Sequence, residues 1–277
     1  MARTNLPAIT RTRLVSDLSA LGLASGDTVM LHASVKAIGW IVGGPDVVIQ
    51  SLLDVIGPSG TLMMYVKCEE VLNEIDEWPA DWQEAYMAEC PPFDLDRTRA
   101  LRDWSILTEY LRTWPGARCS RHPETRMATV GAKAEWIPPD HPLQFGYGAG
   151  SPLAKLCEAE GKVLLLGAHF DSLAILHQAE HIADVLNKRT ERYRWPLLRD
   201  GKCEWVEFEQ FDTCDGIADW SAGDCFRHIS SQYMTHERHA TGLVGATESY
   251  LFDASDLTAF AVAWMEEHLR HPHNEHE

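Results

Sequence analysis

Apolar positions along the first sixty residues follow two different periods. From Arg11 to Gly22 they fall at Leu14, Leu18 and Leu21, one face of a helix, and the glycine that follows is a natural stop. From Thr28 to His32 the chain is apolar and strand-like, and it empties into Ala33-Ser34-Val35-Lys36. Gly43-Gly44-Pro45 then precedes a second helical stretch, Asp46 to Ile56, with the proline suited to a first turn. Gly57-Pro58-Ser59-Gly60 reads as a turn and Thr61 to Val66 as another strand. Strand, loop, helix, turn and strand make a βαβ unit with a glycine-rich connection, which predicts an α/β fold.

Farther along, Glu69 to Pro92 is polar and tryptophan-bearing, more like an inserted loop or helix than sheet. Ser105 to Trp114 is helical in pattern, and Met127 to Gly131 and Val163 to Leu166 read as strands. Trp205 to Phe211 alternates apolar and acidic residues, as a half-exposed strand would. There is no repeat, low-complexity stretch or long linker, so residues 1–277 are expected to form one domain with an inserted polar segment at about 69–92.

The richest chemistry lies after the run Val163 to Leu166. It stops at Gly167, polar residues crowd a short loop, and a helical pattern with His177, Glu180 and His181 follows. In an open α/β sheet, ligands bind at the carboxyl ends of strands. His177 and Glu180 are three residues apart, so on a helix they share a face and can touch. A carboxylate beside an imidazole is a common way to make a general base.

A hydrophobic fraction of 45% with 23% charged residues places the chain among globular proteins. No 18-residue apolar run exists, so no transmembrane helix is expected. The opening residues carry Arg3, Arg11 and Arg13 without an apolar core, so no secretory signal is expected either. Seven scattered cysteines without a Cys-x-x-Cys pair argue against a disulfide framework and a structural zinc site, and point to a cytoplasmic protein.

The net charge of −17 repels nucleic acid and anionic membranes, so neither is an expected partner. Acidity is concentrated between Lys202 and Arg227. That stretch holds Glu204, Glu207, Glu209, Asp212, Asp215, Asp219 and Asp224 but no basic residue. A polycationic small molecule would suit such a stretch.

Several segments, taken in order, resemble the aminoglycoside 3-N-acetyltransferases of the antibiotic N-acetyltransferase family. They are Leu31-His32-Ala33-Ser34-Val35-Lys36 with Gly43-Gly44-Pro45, and Gly57-Pro58-Ser59-Gly60-Thr61-Leu62-Met63. Pro92-Phe93-Asp94, Arg118-Cys119-Ser120-Arg121-His122-Pro123, Gly150-Ser151-Pro152-Leu153 and the segment through His177-Gln178-Ala179-Glu180 follow. The matches span about residues 10 to 260. The resemblance implies a three-layer α/β/α fold with a central mixed β-sheet, distinct from the GNAT acetyltransferases. It also implies transfer of acetyl from acetyl-CoA to the 3-amino group of a 2-deoxystreptamine aminoglycoside, giving antibiotic resistance, by a monomer or homodimer.

Roles follow from the same resemblance, checked against the chemistry. An alkylammonium must lose a proton before it attacks, and His177, oriented by Glu180, fits the base. The thioester oxygen gains charge, and backbone N–H groups from Ala33 to Lys36 or the Ser34 hydroxyl can meet it. Two partners held together need no covalent enzyme intermediate. His32 sits where the family keeps a histidine near the acetyl donor. For the CoA side, the resemblance offers His32, Ala33, Ser34, Val35, Lys36, Gly43 and Gly44, with Arg118, Ser120 and His122 in a second segment. For the aminoglycoside it offers Asp171 and Asp212 first, then Asp215, Tyr147, Glu70 and Asp94.

Two positions depart from the family pattern. Ala174 stands where a threonine often precedes the base by three residues, and Arg126 stands where serine is frequent. An alternative reading is a metal-dependent hydrolase using His169, Asp171, His177 and His181, whose spacing resembles metal ligands. Gln178, however, occupies the place where metalloprotease helices carry their glutamate base. No metal is expected.

Overall fold

Side chains alternate between the two faces of a strand, and here the alternation feeds two separate cores. The computed structural model describes residues 7–68, 72–102, 105–220 and 223–269. Within them the chain opens with α1 (Arg11–Leu21), β1 (Thr28–Ala33), the single turn α2 (Val35–Ile38), α3 (Asp46–Ile56) and β2 (Thr61–Tyr65). After a 3₁₀ segment at Leu72–Glu77 come α4 (Ala80–Glu89), α5 (Ile106–Arg112), β3 (Arg118–Cys119) and β4 (Met127–Gly131). Then follow α6 (Pro152–Glu158), β5 (Lys162–Leu166), α7 (Ile175–Ile182), β6 (Thr190–Arg199) and β7 (Lys202–Phe211). The chain closes with α8 (Cys225–Met234), β8 (His239–Val244), β9 (Thr247–Asp253) and α9 (Ala254–His268).

Seven strands form one sheet in the order β3-β4-β2-β1-β5-β9-β8. The middle strands β2, β1 and β5 are parallel, and antiparallel partners complete both sides. Val29, Leu31, Leu62, Met64, Leu164 and Leu166 pack with α1, α3 and α5 on one face. Met30, Met63, Val163 and Leu165 pack with α6, α7, α8 and α9 on the other. The fold is therefore α/β/α around a mixed sheet, as the resemblance implies.

The βαβ unit forms close to its expected bounds. Thr10 accepts a hydrogen bond from the Arg13 N–H at the start of α1, and Gly22 ends it in a left-handed conformation. Residues 72–92 are mainly helical, and 69–71 lie outside the described residues.

The alternation at Trp205 to Phe211 is most of β7 (Lys202–Phe211), but the pattern missed its partner β6 and the hairpin β8–β9. β6 and β7 form a separate two-stranded sheet, joined across Asp200-Gly201, whose positive φ angles of 49° and 76° suit a two-residue turn. β8 and β9 are joined across Gly245-Ala246 and complete one edge of the sheet. Pro196 and the charges around it obscure β6 in the sequence, but the Asp-Gly pair is its readable signal.

Arg126 is fully buried. Its Nε donates to the Val66 carbonyl at 3.1 Å and Nη1 to the Thr98 carbonyl at 2.9 Å, and the guanidinium lies 5.5 Å from the centre of the Phe93 ring. It ties the exit of β2 to the segment before α5, a structural reason for an arginine where the family often has serine. Burial pushes its pKa down.

Candidate active site

A cavity of about 630 Å³ opens at the carboxyl ends of the parallel strands, the place where open α/β sheets bind ligands. Leu31, His32 and Ala33 from the end of β1 and Met64 and Tyr65 from the end of β2 contribute to its lining. Ala168, just past β5, and His177 and Glu180 on α7 line it as well.

His177 Nδ1 lies 2.7 Å from Glu180 Oε2. A carboxylate only accepts, so the Nδ1 proton points to Glu180 and the Nε2 lone pair is left to take a proton. Glu180 is buried, which strengthens the contact by lowering the local dielectric. Tyr147 stacks on the imidazole at 4.6 Å with planes 18° apart, and Phe226 meets it at 4.8 Å. Burial pushes the Tyr147 phenol well up, so it stays neutral.

The loop carrying Tyr147 has little freedom. A Cβ on Gly146 would come within 2.4 Å of Thr125 Oγ1, and one on Gly148 within 2.7 Å of His181 Nδ1. Behind it, His122 Nδ1 accepts the N–H groups of Glu124 and Thr125, and its Nε2 faces the Leu143 carbonyl at 3.1 Å. His141 Nε2 lies 2.6 Å from the Gly146 carbonyl.

His32 lines the cavity, and its Nε2 is buried with no hydrogen-bond partner. Burial holds its pKa down at about 4, so the ring is neutral at physiological pH. Sequence reasoning missed the neighbouring pair Lys67 and Glu124, joined at 2.8 Å within the cavity wall. Burial pushes the Glu124 carboxyl up while Lys67 opposes it. The readable signal for Glu124 was its position directly after His122-Pro123.

The expected aminoglycoside contacts fall into separate groups. Asp171 and Asp215 line the cavity, with Asp171 3.7 Å from Arg227 Nη2. Asp212 does not line it; its Oδ1 accepts the N–H groups of Cys214 and Asp215 at 2.9 and 2.8 Å. Asp94 likewise turns to the N–H groups of Asp96 and Arg97. Glu70 lies outside the described residues.

Of the expected CoA-side residues, His32 and Ala33 reach the cavity, whereas Ser34, Val35, Lys36, Gly43, Gly44 and Ser120 are not in its lining. The Ser34 N–H is bonded to the Leu166 carbonyl, and its hydroxyl accepts from the Ala37 N–H at 3.4 Å. Ser120 is buried and accepts from the Met127 N–H. Gly43 and Gly44 take positive φ angles of 93° and 82° just before α3. Gly44 has open space where a Cβ would be, and Lys36 is exposed. A glycine turn open at a helix N-terminus suits an anionic pyrophosphate.

The residues of the metal alternative do not converge. His169 is exposed, and His181 Nε2 lies 3.0 Å from Gln210 Oε1, its ring against Phe145 and Phe211. Among the described residues no group of three or more His, Cys, Asp or Glu side chains is placed to hold a metal ion. Ala174 has helical backbone angles at the start of α7 and supplies no side-chain cap.

Residues 30–266 match the family model described as aminoglycoside 3-N-acetyltransferase. The chain belongs to this family. It is 44% identical to aminoglycoside N(3)-acetyltransferase III of Pseudomonas aeruginosa, with 96% of each chain covered. A solved structure of AAC-IIIb with CoASH superposes with a TM-score of 0.89 at 44% identity, covering 96% of this chain and 99% of that one. AAC-VIa bound to sisomicin gives 0.88 at 34% identity, over 96% and 100%. The family's enzymes are acyltransferases with acetyl-CoA as co-substrate, and this member is one of them. Among the described residues no helix is long and apolar enough to cross a membrane.

Proposed function

We propose that the chain transfers acetyl from acetyl-CoA to the 3-amino group of 2-deoxystreptamine aminoglycosides and so protects a bacterial cytoplasm against them. The observation that carries this reading is the His177–Glu180 contact of 2.7 Å at a cavity that also presents Asp171 and Asp215. The whole chain acts as one catalytic unit.

His177 Nε2 takes the proton released as the amine attacks, and Glu180 holds the ring in the matching tautomer and stabilises its charged form. Tyr147 and Phe226 fix the ring plane. Acetyl-CoA supplies the activated acyl group, its pyrophosphate held by the Ser34–Lys36 and Gly43–Gly44 segments. His32, neutral and unpartnered, is placed to hydrogen-bond near the acyl group. Asp171 and Asp215 receive the remaining ammonium groups of the acceptor, which fixes its orientation and favours direct transfer. The new amide and free CoA thiol leave together with one proton.

Purified protein with acetyl-CoA and gentamicin, sisomicin or apramycin should release CoA thiol, with the acetyl group found on the 3-nitrogen by NMR. Absence of thiol release with every 2-deoxystreptamine compound would refute the assignment.

A further inference from the structure

Every residue from Thr213 to Ala218 lines the cavity, and no regular element holds this segment. We propose that Arg189, which is outside the cavity lining, is the positioning residue that shapes this wall for the acceptor. Its guanidinium donates to three carbonyls of the loop: Nε to Gly216 at 2.8 Å, and Nη2 to Asp215 at 2.6 Å and Ala218 at 2.9 Å. Nη1 bonds Asp219 at 2.7 Å. The backbone repeats the pattern, since the Arg189 N–H donates to the Ile217 carbonyl and its carbonyl accepts from Asp212. One residue thus anchors both ends and the middle of the wall.

Asp212 completes the clamp. It lies 3.9 Å from Arg189 Nε, and it folds the start of the loop by accepting the Cys214 and Asp215 N–H groups. Asp212 therefore acts on the acceptor through the position of Asp215 and not as a contact itself. A planar fork of five donors can satisfy several carbonyls at once, which a lysine ammonium on a flexible stem does not reproduce. Gly216, with φ of 80°, permits the bend that turns these carbonyls toward Arg189.

The acceptor part of this role rests on the proposed function; the holding of the loop does not. Three variants of the full chain, Arg189→Lys, Asp212→Asn and Asp212→Ala, separate the possibilities. Arg189→Lys should raise the KM for the aminoglycoside about 10-fold while kcat and the KM for acetyl-CoA move less than about twofold. Amides of 212–219 should exchange hydrogen faster than in the wild type, with exchange elsewhere unchanged. Asp212→Asn keeps the oxygen that accepts both N–H groups and should remain close to wild type, whereas Asp212→Ala should follow Arg189→Lys.

Equal loss in Asp212→Asn and Asp212→Ala, with hydrogen exchange of 212–219 unchanged in both, would make the Asp212 charge a direct substrate contact and overturn its part in the clamp. An unchanged aminoglycoside KM in Arg189→Lys, despite faster exchange, would overturn the link to the acceptor. If the wild-type chain transfers no acetyl group, the acceptor reading falls, and exchange alone decides whether Arg189 holds the loop. Unchanged exchange overturns the role in every case.

Discussion

The two walls of the cavity are built by different means. On one side α7 carries His177 and Glu180, with the carboxylate buried and the imidazole stacked on Tyr147. On the other, residues 213–218 form an irregular segment held from behind by Arg189 and Asp212. A proton transfer needs its groups placed within a fraction of an ångström, which packed helices provide. Recognition of a polycation tolerates looser placement, because charge acts over several ångströms. On the proposed function, chemistry sits on regular structure and selectivity on a loop.

Substitutions at the base should show the contrast most strongly. His177→Ala should lower kcat by about 10²- to 10⁴-fold while aminoglycoside binding, measured calorimetrically, stays nearly unchanged. A variant retaining most of its kcat would remove the distinction between the walls. Glu180→Gln should cost about 10- to 100-fold in kcat, the usual range for a group that orients another, again with little change in KM. On the opposite wall, Asp215→Asn should raise the aminoglycoside KM by a factor of about 5 to 10 and leave kcat in place. Its KM should also depend less on salt, since an exposed charge contact is the kind that salt screens. A fall in kcat there would mean that the loop takes part in the chemistry.

The smallest effect concerns stability. Burial holds His32, His141 and His181 at about 4, below the ordinary 6.5. Between those values the unfolded chain binds protons that the folded chain refuses, so stability falls as pH drops from 6.5 toward 4. His122 is pushed well below 6.5 by burial too, so Tm should decline over that window, and His141→Gln, which removes one of these four groups, should shallow the slope. A flat Tm between pH 6.5 and 4 would contradict the burial of these rings as neutral groups.

The α7 side of the cavity was legible in the sequence because its signals are local. An apolar run ending at Gly167 marks β5, and a spacing of three joins His177 to Glu180 on any helix. The same holds for α1, β1, α3 and β2, whose periodicity and turn residues agree. The acceptor side was less legible. Asp212 belongs to an acidic run, and its type gives no hint that it accepts the N–H groups of Cys214 and Asp215. Arg189 works through carbonyl groups 26 to 29 residues away, and carbonyls are the same in every residue. Lys67 and Glu124 are 57 positions apart in number, and only the fold brings them together at 2.8 Å. The hairpin β6–β7 did carry a signal in Asp200-Gly201, outweighed by the proline and charges around it.

The glycines beside Tyr147 set a course for how this protein can change under selection. At Gly146 and Gly148 any side chain would collide with Thr125, His122 or His181, so the segment behind the base is closed to mutation one residue at a time. Within 213–218, Cys214 and Asp215 are exposed and open to substitution, whereas Ile217 is buried and Gly216 bends with a φ of 80°. A lineage meeting a new antibiotic can therefore explore one side of its cavity while inheriting the other unaltered, and adaptation would be recorded in Thr213 to Ala218 long before it touched Tyr147.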